Sequence, residues 1–270
     1  MIRLPSFERK SMKRSLLVLA LIVLATAARA ELVGKPVDYT HDGAALQGYL
    51  VYDDAVKGKR PGVLVVHEWW GLNDYAKKRA DDLARMGYVA FAADMYGKGV
   101  VTTDAKKASE LARPFYGTPL MRTRARAGYD VLAKHELVDP ARTAAIGFCF
   151  GGTTALELAY SGAPLSGVVS FHGNLAAPTP EDYPNIKASI LVCHGADDTF
   201  IAPADIDAFE KAMRDARTDW MMTSYGGAVH AFTNPDAGTF GIQGIAYNEK
   251  AALRSWAEMK TFFDEIFARR

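Results

Sequence analysis

Cysteine is scarce in this chain: Cys149 and Cys193 are the only two in 270 residues. That excludes a disulfide framework, and without a C-x-x-C pair the composition argues against a dithiol redox protein. The six histidines, at 41, 67, 135, 172, 194 and 230, show neither H-x-x-x-H spacing nor a cysteine-rich partner, so no zinc or other metal is expected. No glycine-rich loop has a nucleotide-binding fingerprint, and no cofactor is expected. Excess positive charge is missing too: the formal net charge is +1. A basic surface for nucleic acid is therefore not indicated.

Long apolar runs are confined to one place. Arg9, Lys10, Lys13 and Arg14 precede an apolar stretch over residues 15–25, which leads to Ala28-Arg29-Ala30. A basic region, an apolar core and an A-x-A site in that order read as a signal peptide cut after Ala30, and the run is shorter than the roughly 20 residues that span a bilayer. The expected protein is periplasmic or secreted, with no stable membrane insertion after cleavage. Met12 already begins a complete basic region of its own, so translation starting there is an alternative to Met1. Of 32 basic and 31 acidic residues the leader takes six and one, leaving 26 and 30, a net charge of −4.

What remains, residues 31–270, is long enough for one α/β domain with a sizeable core, and a monomer is the expected state. Period-2 patterning over 37–40 and 46–52, around the turn His41-Asp42-Gly43, reads as an antiparallel pair. Beyond it, strands are expected at 62–66, 89–93, 143–148, 167–171, 190–193 and 220–225. Helices are expected at 75–86, 103–113, 121–134, 151–160, 203–216 and about 247–267. This alternation predicts a mostly parallel twisted sheet with helices on both faces, whose chemistry gathers at the carboxyl ends of the strands. Those ends carry His67-Glu68, Asp94, Cys149, His172, His194 and the segment around His230.

Gly147-Phe148-Cys149-Phe150-Gly151 has the form G-x-C-x-G, the nucleophile elbow of serine hydrolases with sulfur in place of oxygen. Taken alone, this cysteine is equally well read as a small buried residue in a tight turn. The elbow's fold places nucleophile, acid and histidine in that chain order. After Cys149, a strand end carries Asp197-Asp198, and a glycine-rich loop after the following strand carries His230. Asp198 is the favoured acid, with Asp197 as competitor. Two backbone N–H groups would hold an oxyanion: Phe150, just after the nucleophile, and Trp69, in the loop after an early strand.

The segments HEWWGLN, ADMYGKG, GFCFGG, GADDTFIAP and GGAVHAF, in this order, resemble the dienelactone hydrolase family of α/β-hydrolases. The resemblance implies a Cys149, Asp198, His230 triad. It also implies that Glu68 contacts the resting thiol and tunes its ionisation. Two family arginines that hold a substrate carboxylate have Lys98 and Asn234 in their places, and Ala231 stands where the archetype has serine. Lysine retains a point charge without the planar fork, and asparagine has no charge. Lys98, Trp70, Tyr96 and Phe115 are the expected substrate contacts, with Trp69, Tyr116, Phe150, Phe171 and Phe200 as further aromatic candidates.

The function expected from these features is exported hydrolysis of a small-molecule carboxylic ester or lactone through a thioester intermediate. Two alternatives stand beside it: a non-catalytic ligand-binding protein on the same fold, and a thiol redox protein using Cys149 and Cys193.

Overall fold

The structure is a computed structural model that describes residues 31–268. The leader read at residues 1–30 lies outside them. Eight strands form one sheet: β1 (Leu32–His41), β2 (Ala44–Asp53), β3 (Arg60–Val66), β4 (Val89–Ala93), β5 (Val138–Phe148), β6 (Gly167–Phe171), β7 (Ser189–Gly195) and β8 (Trp220–Tyr225). Their spatial order is β1-β2-β4-β3-β5-β6-β7-β8. The first three neighbours in that row are antiparallel, and every pairing from β4 onward is parallel. Asp42 and Gly43, both at positive φ, make the two-residue turn between β1 and β2.

Residues two apart on a strand share a face, and β3 shows what that does to the core. Val63 and Val65 join one apolar cluster while Leu64 and Val66 join the other. Helices α1 (Asp74–Arg85) and α6 (Glu249–Ala268) cover the first cluster. Helices α2 (Ala105–Ala112), α3 (Leu120–Ala133), α4 (Phe150–Tyr160) and α5 (Pro203–Asp215) cover the second. With both faces covered, the central strands carry continuous apolar runs. None of the helices among the described residues is long and apolar enough to cross a membrane.

Helix starts follow local capping. Asn73 accepts from the Ala76 N–H to begin α1, and Asn248 caps α6 in the same way through Ala251. Asp104 accepts from Lys107 N, so α2 begins two residues later than the expected Thr103. Strand β5 is longer than its apolar run suggests, because residues 138–142 extend it through a register shift opposite Arg60.

Candidate active site

Strand β5 ends at Phe148 and α4 starts at Phe150, so Cys149 alone makes the turn, at φ 54° and ψ −116°. A non-glycine residue there costs on the order of 1–3 kcal/mol, which the surroundings must hold in place. Glycines make the close approach possible. A Cβ on Gly147 would overlap the Gly151 carbonyl, and one on Gly151 would overlap the carbonyl oxygens of Val66 and His67 at the end of β3. The Cys149 N–H is shared between the Phe171 carbonyl, at 3.0 Å, and His172 Nδ1, at 3.1 Å. The half-buried sulfur sits over the α4 N-terminus, where unpaired N–H groups and the helix dipole favour negative charge.

Asp198 and His230 meet across the ends of β7 and β8. His230 Nδ1 lies 2.8 Å from Asp198 Oδ2, and the second Asp198 oxygen accepts from Phe200 N. Asp198 is buried and Asp197 exposed, and it is Asp198 that meets the imidazole. Burial works against an imidazolium at His230. Attraction to an ionised Cys149 and the hydrogen bond that Nδ1–H donates to Asp198 outweigh it, and beside the thiolate the ring is pushed up to about 10. The backbone of His230 bonds to Gly244 and Ala246, so the loop carrying the imidazole is held by the segment that follows it.

Glu68 follows β3 and is 3% exposed. Its Oε2 accepts from Asn234 Nδ2 at 2.7 Å. Burial pushes the carboxyl up to about 7, with the Asn234 hydrogen bond and the His230 and Arg79 charges opposing that rise. Asn234 is thus buried and committed to Glu68 rather than free for substrate.

Sequence reasoning placed His172 at the right edge without giving it a task. In the structure its Nδ1 accepts from the Cys149 N–H, which leaves the proton on Nε2, and Nε2 lies 2.6 Å from Thr233 Oγ1. Burial drives its pKa well below that of a free imidazole, consistent with this neutral tautomer. Thr233 continues to Tyr75 through its hydroxyl, and its carbonyl accepts from Arg79. The elbow and the loop bearing His230 therefore share one buried chain of hydrogen bonds. His67 and Asp94 do structural work nearby. His67 Nε2 accepts from Met95 N, and Asp94 accepts from the N–H groups of Gln47, Tyr96 and Gly97.

A cavity of about 200 Å³ opens over the sulfur, lined by Glu68, Trp69, Trp70, Cys149, Phe150 and His230 among others. Trp70 is there as expected, stacked on Phe240 at 4.3 Å. Tyr96 and Phe115 lie one layer back, their rings 5.7 and 5.4 Å from Phe150. The Tyr96 hydroxyl donates to the Trp69 carbonyl at 3.1 Å, so it positions the loop rather than touching the cavity. Lys98 is a clear departure from expectation. The turn after β4 runs toward β2, where Lys98 N donates to Ala45 O, and its Nζ lies 2.9 Å from Asp38 on the exposed side of β1. Ile242 and Ile245, not singled out from sequence, complete the cavity wall.

The two thiols are free. Phe148 pairs with Phe171, which pairs with Cys193, so Cys193 lies two strand spacings, about 10 Å, from the end of β5. Cα separations above about 7 Å do not accommodate a disulfide without backbone movement. Cys193 also packs in the cluster on the opposite face of the sheet from Cys149.

Known proteins share this sequence pattern and fold. The dienelactone hydrolase family model matches residues 46–267. The solved structure m3DLH is 43% identical with a TM-score of 0.85, the match covering 87% of this chain and 99% of that one. A dienelactone hydrolase-like promiscuous phosphotriesterase from metagenomic libraries is 44% identical with the same TM-score, covering 87% and 98%. Protein usf of Aquifex pyrophilus is 30% identical over 239 residues, 86% of this chain and 99% of its own length. With likeness this extensive in sequence and in fold, the chain belongs to the dienelactone hydrolase family and is a carboxylic ester hydrolase of the α/β-hydrolase fold.

Proposed function

We propose that the chain hydrolyses its ester or lactone substrate through a thioester on Cys149, with His230 and Asp198 completing the triad. His230 takes the thiol proton as sulfur attacks the carbonyl carbon and the C–S bond forms. The resulting oxyanion is held by the N–H groups of Phe150 and Trp69. The C–O bond then breaks and the departing oxygen receives the proton from His230. Water, deprotonated by the same imidazole, adds to the thioester, and the C–S bond breaks to release acid and thiol. Asp198 keeps the His230 proton on Nδ1 and stabilises the imidazolium. Glu68, buried beside this centre, when ionised disfavours the resting thiolate until substrate arrives.

The observation that carries this reading is that His230, bonded to Asp198 at 2.8 Å, lines the same cavity as a cysteine on a strained elbow. Turnover of p-nitrophenyl esters by wild type, Cys149→Ala and Cys149→Ser tests it. Full turnover by Cys149→Ala would remove sulfur from the mechanism.

Export is part of the same proposal. The leader over residues 1–30 delivers the enzyme, as a monomer, to the periplasm or medium. N-terminal sequencing of the exported fraction should begin at Glu31. Full-length chain recovered in the cytoplasm would contradict it.

A further inference from the structure

Resting on the ester-hydrolase reading above, we propose that the cavity selects an uncharged ester with an apolar group about the size of one aromatic ring and rejects substrates that carry their own carboxylate. The lining includes Trp70, Tyr116, Phe200, Ile201, Ile242 and Ile245, a surface of rings and branched aliphatic side chains. An apolar cavity of about 150 Å³ already binds benzene, and this one is about 200 Å³. One ring, or a short branched chain, fills it.

Charge points the same way. The cavity is lined by the Glu68 carboxyl, which repels a second carboxylate when ionised. A like charge about 6 Å away at an effective dielectric of 20 corresponds to roughly a 100-fold penalty. The cations nearby are engaged elsewhere. Lys98 is paired with Asp38, and Arg122 with Glu157 and Asp182. Arg79 donates to the Thr233 carbonyl behind the site, between the rings of Tyr75 and Trp256. Asn234 supplies no charge and gives its amide to Glu68. His230, which lines the cavity, is already paired with Asp198, so a substrate carboxylate entering here would lose its water without gaining an unpaired counter-ion. A neutral apolar ester loses little hydration on entry and gains the ring contacts.

Esters of one leaving group whose acyl chains differ in charge test this directly. We would compare kcat/KM at pH 8, where Glu68 is ionised, for p-nitrophenyl butyrate, p-nitrophenyl hemisuccinate and the methyl ester of the hemisuccinate, using the intact mature enzyme. The expected result is a preference of about 100-fold or more for butyrate over hemisuccinate, with the methyl ester recovering most of the loss. Ile242→Arg, or Ile245→Lys should the first fail to fold, should narrow the preference at least tenfold by supplying the missing cation. Hemisuccinate turned over within threefold of butyrate by wild type would overturn the proposal. A wild type inert toward all three esters would overturn instead the hydrolase reading on which it rests.

Discussion

Replacing Glu68 by glutamine removes one ionisation from the cavity and keeps the side chain's volume and an acceptor for Asn234. In the folded protein burial pushes this carboxyl from an ordinary 4.5 to about 7. In the unfolded chain it titrates as a free carboxylate. A raised folded pKa means that the folded state binds the proton more tightly. The stabilisation is complete below pH 4.5 and is lost as pH climbs through 7. The gap between 4.5 and about 7, at 1.36 kcal/mol per unit, comes to roughly 3 kcal/mol. Wild type and Glu68→Gln should therefore be of similar stability at acid pH, and the glutamine variant should gain roughly 3 kcal/mol on wild type by pH 8. Urea unfolding at half-unit pH steps measures this, because titrations common to both proteins cancel in the difference. A difference that stays flat across pH 4.5–8 would refute the account of Glu68 as a carboxyl whose ionisation burial delays to about pH 7.

Other substitutions separate chemistry from scaffolding. Asp198→Asn should leave the fold intact and lower kcat by roughly 10³–10⁴-fold, measured on p-nitrophenyl acetate. His172→Phe deletes one of the two acceptors for the Cys149 N–H while keeping a ring. It should lower kcat by about 10–100-fold with KM little changed and slow iodoacetamide capture of Cys149, and unaltered capture would leave His172 without a role at the elbow. Gly151→Ala should fail to fold or lose several kcal/mol of stability by chemical denaturation, since its Cβ has only carbonyl oxygens to meet. Cys193→Ala should cost about 1–2 kcal/mol of stability as a small core cavity yet leave turnover at the wild-type level, whereas a dithiol mechanism would lose activity.

Periodicity made the parallel core legible because strands buried on both faces write themselves as unbroken apolar runs, as in Gly62–Val66 and Gly167–Phe171. Their ends placed Cys149, Glu68, Asp198 and His230 along one edge before any contact was known. The extension of β5 through 138–142 escaped notice, since Asp139-Pro140-Ala141-Arg142 has the composition of a turn and is drawn into the sheet by β3. Side-chain direction was harder still. Lys98 follows a strand that ends at the site, but the sense of the turn after Asp94 depends on backbone hydrogen bonds to β2 that no local pattern encodes. The same holds for His172, Thr233 and Tyr75, far apart in the chain and brought into one hydrogen-bond chain only by tertiary packing. Ile242 and Ile245 sit in a segment without periodicity, and their place in the cavity follows from the backbone pairing of that segment with His230.

The central claim, that acyl transfer passes through the Cys149 sulfur, is tested most directly by trapping the intermediate. Wild-type enzyme mixed with excess p-nitrophenyl ester, quenched in acid within the first turnover and measured by intact mass, should carry one acyl group. Peptide mapping should place that group on Cys149 and show it to be labile to neutral hydroxylamine. An acyl group on any other residue, or acylation and turnover that persist in Cys149→Ala, would contradict the account.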